Sequence, residues 1–400
     1  MPKYRDILEK AAKAWNCPDM LNSVKDSVPK IPFSAPMLNW LTYGGVPRGR
    51  IIEFFGEEGS GKSSTSIDVC YNAKKVFQKE FEDKVQEYRD KVAAGKKEYA
   101  GPLEDLLDEG PKGVVYWDLE HSFDWQWAGK MGLHKGDIDV AQPPDVPAEA
   151  ICQTIEETVV TGGVGLIVVD SVPSLVTKTE LEKKYGEKSV ATVAGLMTIF
   201  MRKITPLASR YDCTILLINQ VRDNMENPYV IQTPGGKAIK FYCTTRIYFR
   251  KGAPIDFAGN ELPTNTENPN GYLINTKLMK QKGAPFDRKV ASYFLLSDSG
   301  IREDFDYAKL AIQKYNIIQK SGGWFTLCNP STGEIMEENG KIIKINGQCR
   351  VYDYLSSHPE YYAELKSFIN KDIGTEEATL DEVVPSDIAC TVDDGSEGEA

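Results

Sequence analysis

Arg50-Ile-Ile-Glu-Phe-Phe-Gly56-Glu57-Glu58-Gly59-Ser60-Gly61-Lys62-Ser63-Ser64 is the stretch on which the reading of this chain turns. Its first six residues are mostly apolar and rich in β-formers, and the run halts at a glycine-rich loop. From Gly56 to Ser63 the loop has the form G-x-x-x-x-G-K-[ST]. A chance match is expected in on the order of one chain in a hundred of this length, so the surroundings have to decide. They do: a strand precedes the loop, and residues 64–76 follow as a helix. Backbone N–H groups and a helix N-terminus then converge on one point, which suits a phosphate. On this reading residues 56–64 cradle a nucleotide, Lys62 bridges its β- and γ-phosphates, and the Ser63 hydroxyl joins a Mg²⁺ shell.

Working outward, three more apolar runs read as buried strands: 113–118, 165–170 and 213–219. Helix-like sequence separates them, for example 148–161, and the alternation predicts an α/β fold with a mostly parallel central sheet. Ligands in such sheets sit at the carboxyl ends of the strands. Gly56, Asp118 to Glu120, Asp170-Ser171 and Asn219-Gln220 all fall there. Asp170 is the carboxylate suited to Mg²⁺, and Glu120 is placed to accept a hydrogen bond from an attacking water. His121 reads as structural.

The remaining segments have distinct characters. Residues 4–15 carry apolar side chains at helical spacing, and a helical run from Met37 to Leu41 ends at Gly44-Gly45. Residues 79–112 are a charged helical insertion, with Glu80–Lys84 and Glu87–Lys91 at ion-pairing spacing. After Gly300 a helix over 307–319, a turn-rich region and a helix ending near Asn370 suggest a small C-terminal domain. The net charge of −11 is concentrated at the end: residues 375–400 hold nine acidic side chains and no Lys or Arg, and without them the body has 49 acidic against 47 basic residues. Such a body accommodates a basic groove, and the tail reads as disordered and solvating. The eight cysteines show no C-x-x-C pair, which favours reduced thiols over zinc. No apolar run reaches the ~18 residues of a membrane span and the start lacks signal-peptide order, so the expectation is a cytoplasmic protein with no membrane partner.

A set of runs in this order resembles the RecA recombinase family: Pro47 to Glu53, the 56–63 loop, Asp118-Leu-Glu-His121, Ile167 to Val172, Ile218-Asn-Gln-Val-Arg222, Gly235 to Tyr242, and Lys280-Gln-Lys-Gly-Ala-Pro-Phe286. Trp324, Gly347-Gln348 and His358-Pro359-Glu360 resemble that family's C-terminal domain. The resemblance implies a RecA-like ATPase core over 34–300, an N-terminal helix and oligomerisation arm over 1–33, a small α+β domain over 301–370 and an acidic tail over 371–400. It implies an ATP- and Mg²⁺-dependent ATPase that forms a helical filament on single-stranded DNA and exchanges strands with duplex DNA in recombination and repair.

Residue by residue, the resemblance makes Glu120 the catalytic glutamate, Asp170 the Mg-site aspartate and Gln220 the γ-phosphate sensor. Asp124 and Trp127 fall where the family contacts adenine, with Trp in place of a tyrosine. Lys280 and Lys282 match lysines that reach the neighbouring subunit's ATP. DNA contact is expected from two loops. The first, 180–190, holds Lys183, Lys184, Lys188 and Val190. The second, 222–236, holds Arg222, Met225, Gly235 and Gly236. Arg202, Lys237 and Lys240 add positive charge. Gly195 departs from the family, which usually has an arginine there, and that bears on DNA affinity. Two other readings share the loop: a ring-forming P-loop motor, and a DNA-coating protein whose nucleotide only stabilises assembly.

Overall fold

The computed structural model describes residues 3–15, 27–94, 103–184, 192–221 and 232–375. Lys188, Val190, Arg222 and Met225, and the acidic residues from 376 onward, lie outside them. The N-terminal residues through Lys30 form one unit and the rest of the chain another. In the first, α1 (Lys3–Ala14) leaves Tyr4, Ile7 and the following Trp15 exposed.

The second unit is built on a nine-stranded sheet. Its strands are β1 (Ile51–Gly56), β2 (Gly113–Asp118), β3 (Asp139–Ala141), β4 (Val164–Asp170), β5 (Thr214–Gln220), β6 (Thr245–Ile255), β7 (Gly271–Gln281), β8 (Val290–Leu296) and β9 (Gly300–Ile301). The order across the sheet is β9-β8-β7-β6-β1-β5-β4-β2-β3. From β3 to β6 all pairings are parallel, and β7, β8 and β9 extend the sheet antiparallel. Consequently β1, β2, β4 and β5 all point their carboxyl ends the same way.

Strand alternation sorts the central side chains onto two cores. Ile52, Phe54, Leu166, Val168, Leu216 and Ile218 face one; Ile51, Ile167, Val169, Ile215 and Leu217 face the other. Each buried aliphatic side chain contributes roughly 1.5–3 kcal/mol. The first core is covered by α2 (Pro36–Thr42) and by α3 (Lys62–Ala93), the helix that leaves the glycine-rich loop. The second is covered by α4 (Ala148–Val160) and α5 (Thr192–Arg210).

The helix after the loop runs on into the first part of the charged insertion, as far as Ala93, and Leu103–Glu109 forms a separate short helix within it. At 1.5 Å per residue, α3 runs about 48 Å, and most of its second half projects into solvent. Glu87 pairs with Lys91 as the spacing suggests, but Glu80 pairs with Arg48 rather than Lys84. Arg48 is buried, stacks over Phe77 and also holds Asp212 at 2.6 Å, so it clamps the emerging helix to the body.

Beyond the sheet, α6 (Glu303–Gln313) ends six residues before the expected 319, and Ile318–Ser321 is a strand. Asn316 adopts φ 53°, a left-handed conformation that asparagine tolerates and a helix does not. Ile318–Ser321 pairs with Trp324–Leu327, which pairs with Lys344–Asn346. Two helices, α7 (Gln348–Ser357) and α8 (Pro359–Ile373), close this region, and Val351, Leu355, Leu365 and Ile369 join the first core.

Candidate active site

The loop 56–63 leaves the carboxyl end of β1 and enters α3 with Gly61, at φ 85°, as its N-cap. A Cβ on Gly56 would lie 2.1 Å from the Phe249 carbonyl oxygen, so the strand end admits only glycine. Glu57, Glu58, Gly59 and Ser63 are exposed, whereas Ser60 and Lys62 are buried. The Ser60 hydroxyl donates to the Glu57 carbonyl at 2.7 Å. The Lys62 ammonium donates to the carbonyls of Gly56 at 3.1 Å and Glu57 at 2.6 Å. Burial pulls the Lys62 pKa down, against the pull of Asp170, Glu120, Glu58 and Glu57.

Asp170 ends β4 beside Asp118, its register partner at the end of β2. Burial raises the Asp170 pKa, while hydroxyls from Tyr116 and Ser63 oppose the rise. Tyr116 donates at 2.6 Å and itself lies 3.3 Å from the Ser66 hydroxyl. Asp118 has another task. It accepts from the N–H groups of Ser122 at 3.2 Å and Phe123 at 2.8 Å and from Gln142 at 2.7 Å, and so shapes the turn that presents Glu120.

Glu120 is exposed at the strand ends. Ser171 donates to its Oε1, and Gln220 Nε2 donates to the same oxygen at 3.3 Å. The sequence-predicted Glu120, Gln220, Lys62, Ser63 and Asp170 are therefore gathered at one edge of the sheet. Asp124 caps a short helix, Trp125–Lys130, by accepting from Gln126 N at 2.7 Å. Trp127 on that helix donates to Ser64 at 3.1 Å, which ties its ring to the loop.

A single buried carboxylate next to a serine hydroxyl is too sparse to hold a divalent ion alone, and no cluster of three or more metal-binding side chains occurs among the described residues. The donor set fits Mg²⁺, which keeps waters and takes one or two carboxylates with substrate phosphates.

Lys280 and Lys282 are elsewhere. Lys280 lies opposite Arg246 on β6, whose own partner on β1 is Glu53. Three residues before Gly56, that level is about 10 Å back along the strand from the loop. The Lys280 ammonium donates to the carbonyls of Lys240 at 2.7 Å and Phe241 at 2.8 Å, at the end of the helix Lys237–Tyr242. Burial and the neighbouring Lys282 lower its pKa.

The roots of the two loops converge. A Cβ on Gly236 would meet Ala194 on the first turn of α5 at 3.0 Å, and one on Gly235 would meet Ile239 at 2.5 Å and Val172 at 3.0 Å. Lys184, Arg202, Lys237 and Lys240 are exposed, and Lys183 is half-buried. Gly195 has open space around it.

Sequence reasoning missed the network behind the site. Asn219 donates from Nδ2 to Glu53 at 2.9 Å and to the Pro234 carbonyl at 3.0 Å, and Arg246 pairs with Glu53. Glu53 and Arg246 are both buried, so the charges need each other. A charged residue in the middle of the apolar run 50–55 was the available signal. Asp118 and Ser171 were legible as strand-end residues at the ligand side of the sheet but without their partners, and Tyr116 only as a strand residue.

Residues 107–302 match the family model for the RecA N-terminal domain. Protein RecA of Citrifermentans bemidjiense is 31% identical over 331 residues, covering 82% of this chain and 80% of the relative. That of Porphyromonas gingivalis is 32% identical over 330 residues, covering 81% and 83%. That of Rickettsia canadensis is 29% identical over 338 residues, covering 83% and 80%. With a parallel sheet ending in this loop and these carboxylates, and with likeness spread over four-fifths of both partners, the chain belongs to the RecA recombinase family.

Proposed function

We propose that the chain is a DNA-dependent ATPase that forms a helical filament on single-stranded DNA and carries out homologous pairing and strand exchange with duplex DNA. The observation that carries this reading is the hydrogen bond between Gln220 and Glu120. It joins the residue that ends β5, just before the second loop, to Glu120, the exposed carboxylate at the end of β2. Residues 56–64 hold the phosphates, with Asp124 and Trp127 on the base. Ser63 and Asp170 would hold Mg²⁺, which would supply neutralisation of phosphate charge. Lys62 compensates phosphate charge; Glu120 orients the water and accepts its proton. A γ-phosphate competes for the Gln220 amide, and the resulting shift of Gln220 is passed to the loop it begins.

The placement of the lysine pair supports the proposed assembly. Because β7 is antiparallel to β6, Lys280 and Lys282 lie toward the amino end of β1, away from the chain's own loop. They are suited to a neighbour's nucleotide, with residues 1–33 as the docking arm. DNA lies along the two loops, contacted by Lys183, Lys184, Lys188, Val190, Arg202, Arg222, Met225, Gly235, Gly236 and Lys237. Residues 301–370 act as a small domain and 371–400 as an acidic tail. No described helix is long and apolar enough to cross a membrane. The deciding experiment is strand exchange between homologous DNAs with ATP, alongside hydrolysis with and without single-stranded DNA. Products formed only with ATP and homology are expected; ATPase activity indifferent to DNA would sink the proposal.

A further inference from the structure

The segment carrying Lys280 and Lys282 turns at 282–289 and returns as β8, and its far side is anchored at one place. Arg288 stacks over the rings of Tyr43, 3.9 Å away, and Trp40, 4.9 Å away. Its NH1 donates to the Trp40 carbonyl at 2.8 Å, and its NH2 lies 3.6 Å from Asp372 near the end of α8. The adjoining Asp287 accepts from the Tyr43 hydroxyl. Gln281, between the two lysines, donates to the Thr42 carbonyl at 3.2 Å. Every one of these partners except Asp372 belongs to the last turn or C-cap of α2, where orphan carbonyls and the negative end of the helix dipole favour a guanidinium. Tyr43 is held in the left-handed region at φ 57°, which turns its ring toward the hairpin. On the other side, Asp372 accepts from Tyr315 at 2.7 Å.

We propose that Arg288 is the positioning residue of the lysine hairpin: it anchors the hairpin to the end of α2 and to the last turn of α8, and so sets how Lys282 meets the nucleotide of an adjoining subunit. The inference rests on the reading of those lysines as acting in trans. Arg288 is shielded, with its side chain 15% exposed, and touches no residue of its own nucleotide loop in any contact described above. Its effect therefore passes through the hairpin. Position matters because misplacing a charged group by about 1 Å costs on the order of 100-fold in rate. Arginine suits the site because its flat fork bonds a carbonyl and pairs with a carboxylate while stacking on two rings, which an ammonium cannot do together.

The test compares full-length protein with Arg288→Ala, Arg288→Lys, Lys282→Ala and the double variant. ATPase is measured on saturating single-stranded DNA, and nucleotide affinity is measured without DNA using a fluorescent ATP analogue. Arg288→Ala is expected to lower kcat roughly 10- to 100-fold with unchanged analogue affinity, Arg288→Lys to recover part of it, and the double variant to match Lys282→Ala. Multiplicative losses in the double variant, or lost analogue affinity in Arg288→Ala, overturn the positioning role. If Lys282→Ala itself keeps full turnover, the trans reading fails instead, and Arg288 has nothing to position. Should Arg288→Ala not fold, Tyr43→Phe removes only the bond to Asp287. It is expected to lower kcat several-fold in the wild-type background and not at all in Lys282→Ala; an equal loss in both backgrounds overturns the proposal.

Discussion

If Lys62 and Glu120 act as proposed, their work is separable and substitution should divide them. On that reading Lys62→Ala removes a cation that compensates phosphate in the ground and transition states alike, so ATP binding and ATP-dependent extension on DNA should both fail. Glu120→Gln retains a hydrogen-bonding group of the same shape for Ser171 and loses only the base, so binding should persist while turnover falls 100-fold or more. Filter binding with ATP, run beside hydrolysis, checks the pair; equal loss of DNA binding counts against the assignment. Asp68 offers a different measurement. It is buried on α3, accepts from Ser34 N at 3.0 Å and Asn72 at 3.1 Å, and burial pushes its pKa up to about 6. The folded state thus holds this proton more tightly than the unfolded chain, whose Asp titrates near 4. Its stabilisation is complete below about pH 4 and is lost as pH rises through about 6, by at most about 3 kcal/mol. Urea unfolding across that window should show stability falling with pH, and Asp68→Asn should flatten the slope. An unchanged slope would show that another group titrates there.

At the scale of elements, the second loop is fixed at its root by two glycines. Gly235 takes φ 84°, and an added Cβ would collide with Ile239 and crowd Val172. Gly235→Ala should therefore destabilise the fold by about 1–3 kcal/mol and weaken single-stranded DNA binding, as read by thermal unfolding and fluorescence anisotropy. Unaltered melting would mean that the loop root shifts freely. The lysine hairpin permits a complementation test. Lys282→Ala in excess over Glu120→Gln creates interfaces that combine a working carboxylate with a working lysine, so mixtures should hydrolyse more ATP than either protein alone. Strictly additive rates would assign Lys282 to its own chain's site. Element boundaries were legible where composition changes abruptly: β2 matches the expected 113–118 end to end, because Gly113 and Asp118 punctuate it. The helix after Gly300 was overextended because Tyr315 and Ile317 continue an apolar spacing that the left-handed Asn316 interrupts.

For the whole molecule, charge distribution has the most direct consequence. If residues 375–400 compete with DNA phosphates for the body's Lys and Arg, deleting them moves the net charge from −11 to about −2 and frees that surface. Affinity for duplex DNA should rise, most at low salt where screening is weak, and Mg²⁺ should mimic part of the deletion. Hydrolysis on saturating single-stranded DNA should hardly change. A salt titration of duplex binding that is the same for full-length and truncated protein would leave the tail as a solubility device.

Local sequence determined which residues could take part. Gly56 to Ser63 specify a phosphate loop because glycine positions and a following helix act over a few residues, and Asp170, Glu120 and Gln220 declare themselves at the ends of apolar runs. What only the tertiary structure decided is which of these meet. The parallel order β1-β5-β4-β2 brings Glu120 to Gln220 from residues a hundred positions apart. The antiparallel return of β7 sets Lys280 and Lys282 away from their own loop. Glu53 stood out as a charge in an apolar run, but its partner Arg246 and the Arg288 anchor were not assignable from sequence because the partners lie 193 and about 250 residues away. Such pairings are chosen by sheet register and helix packing, and no periodicity in a local window encodes them.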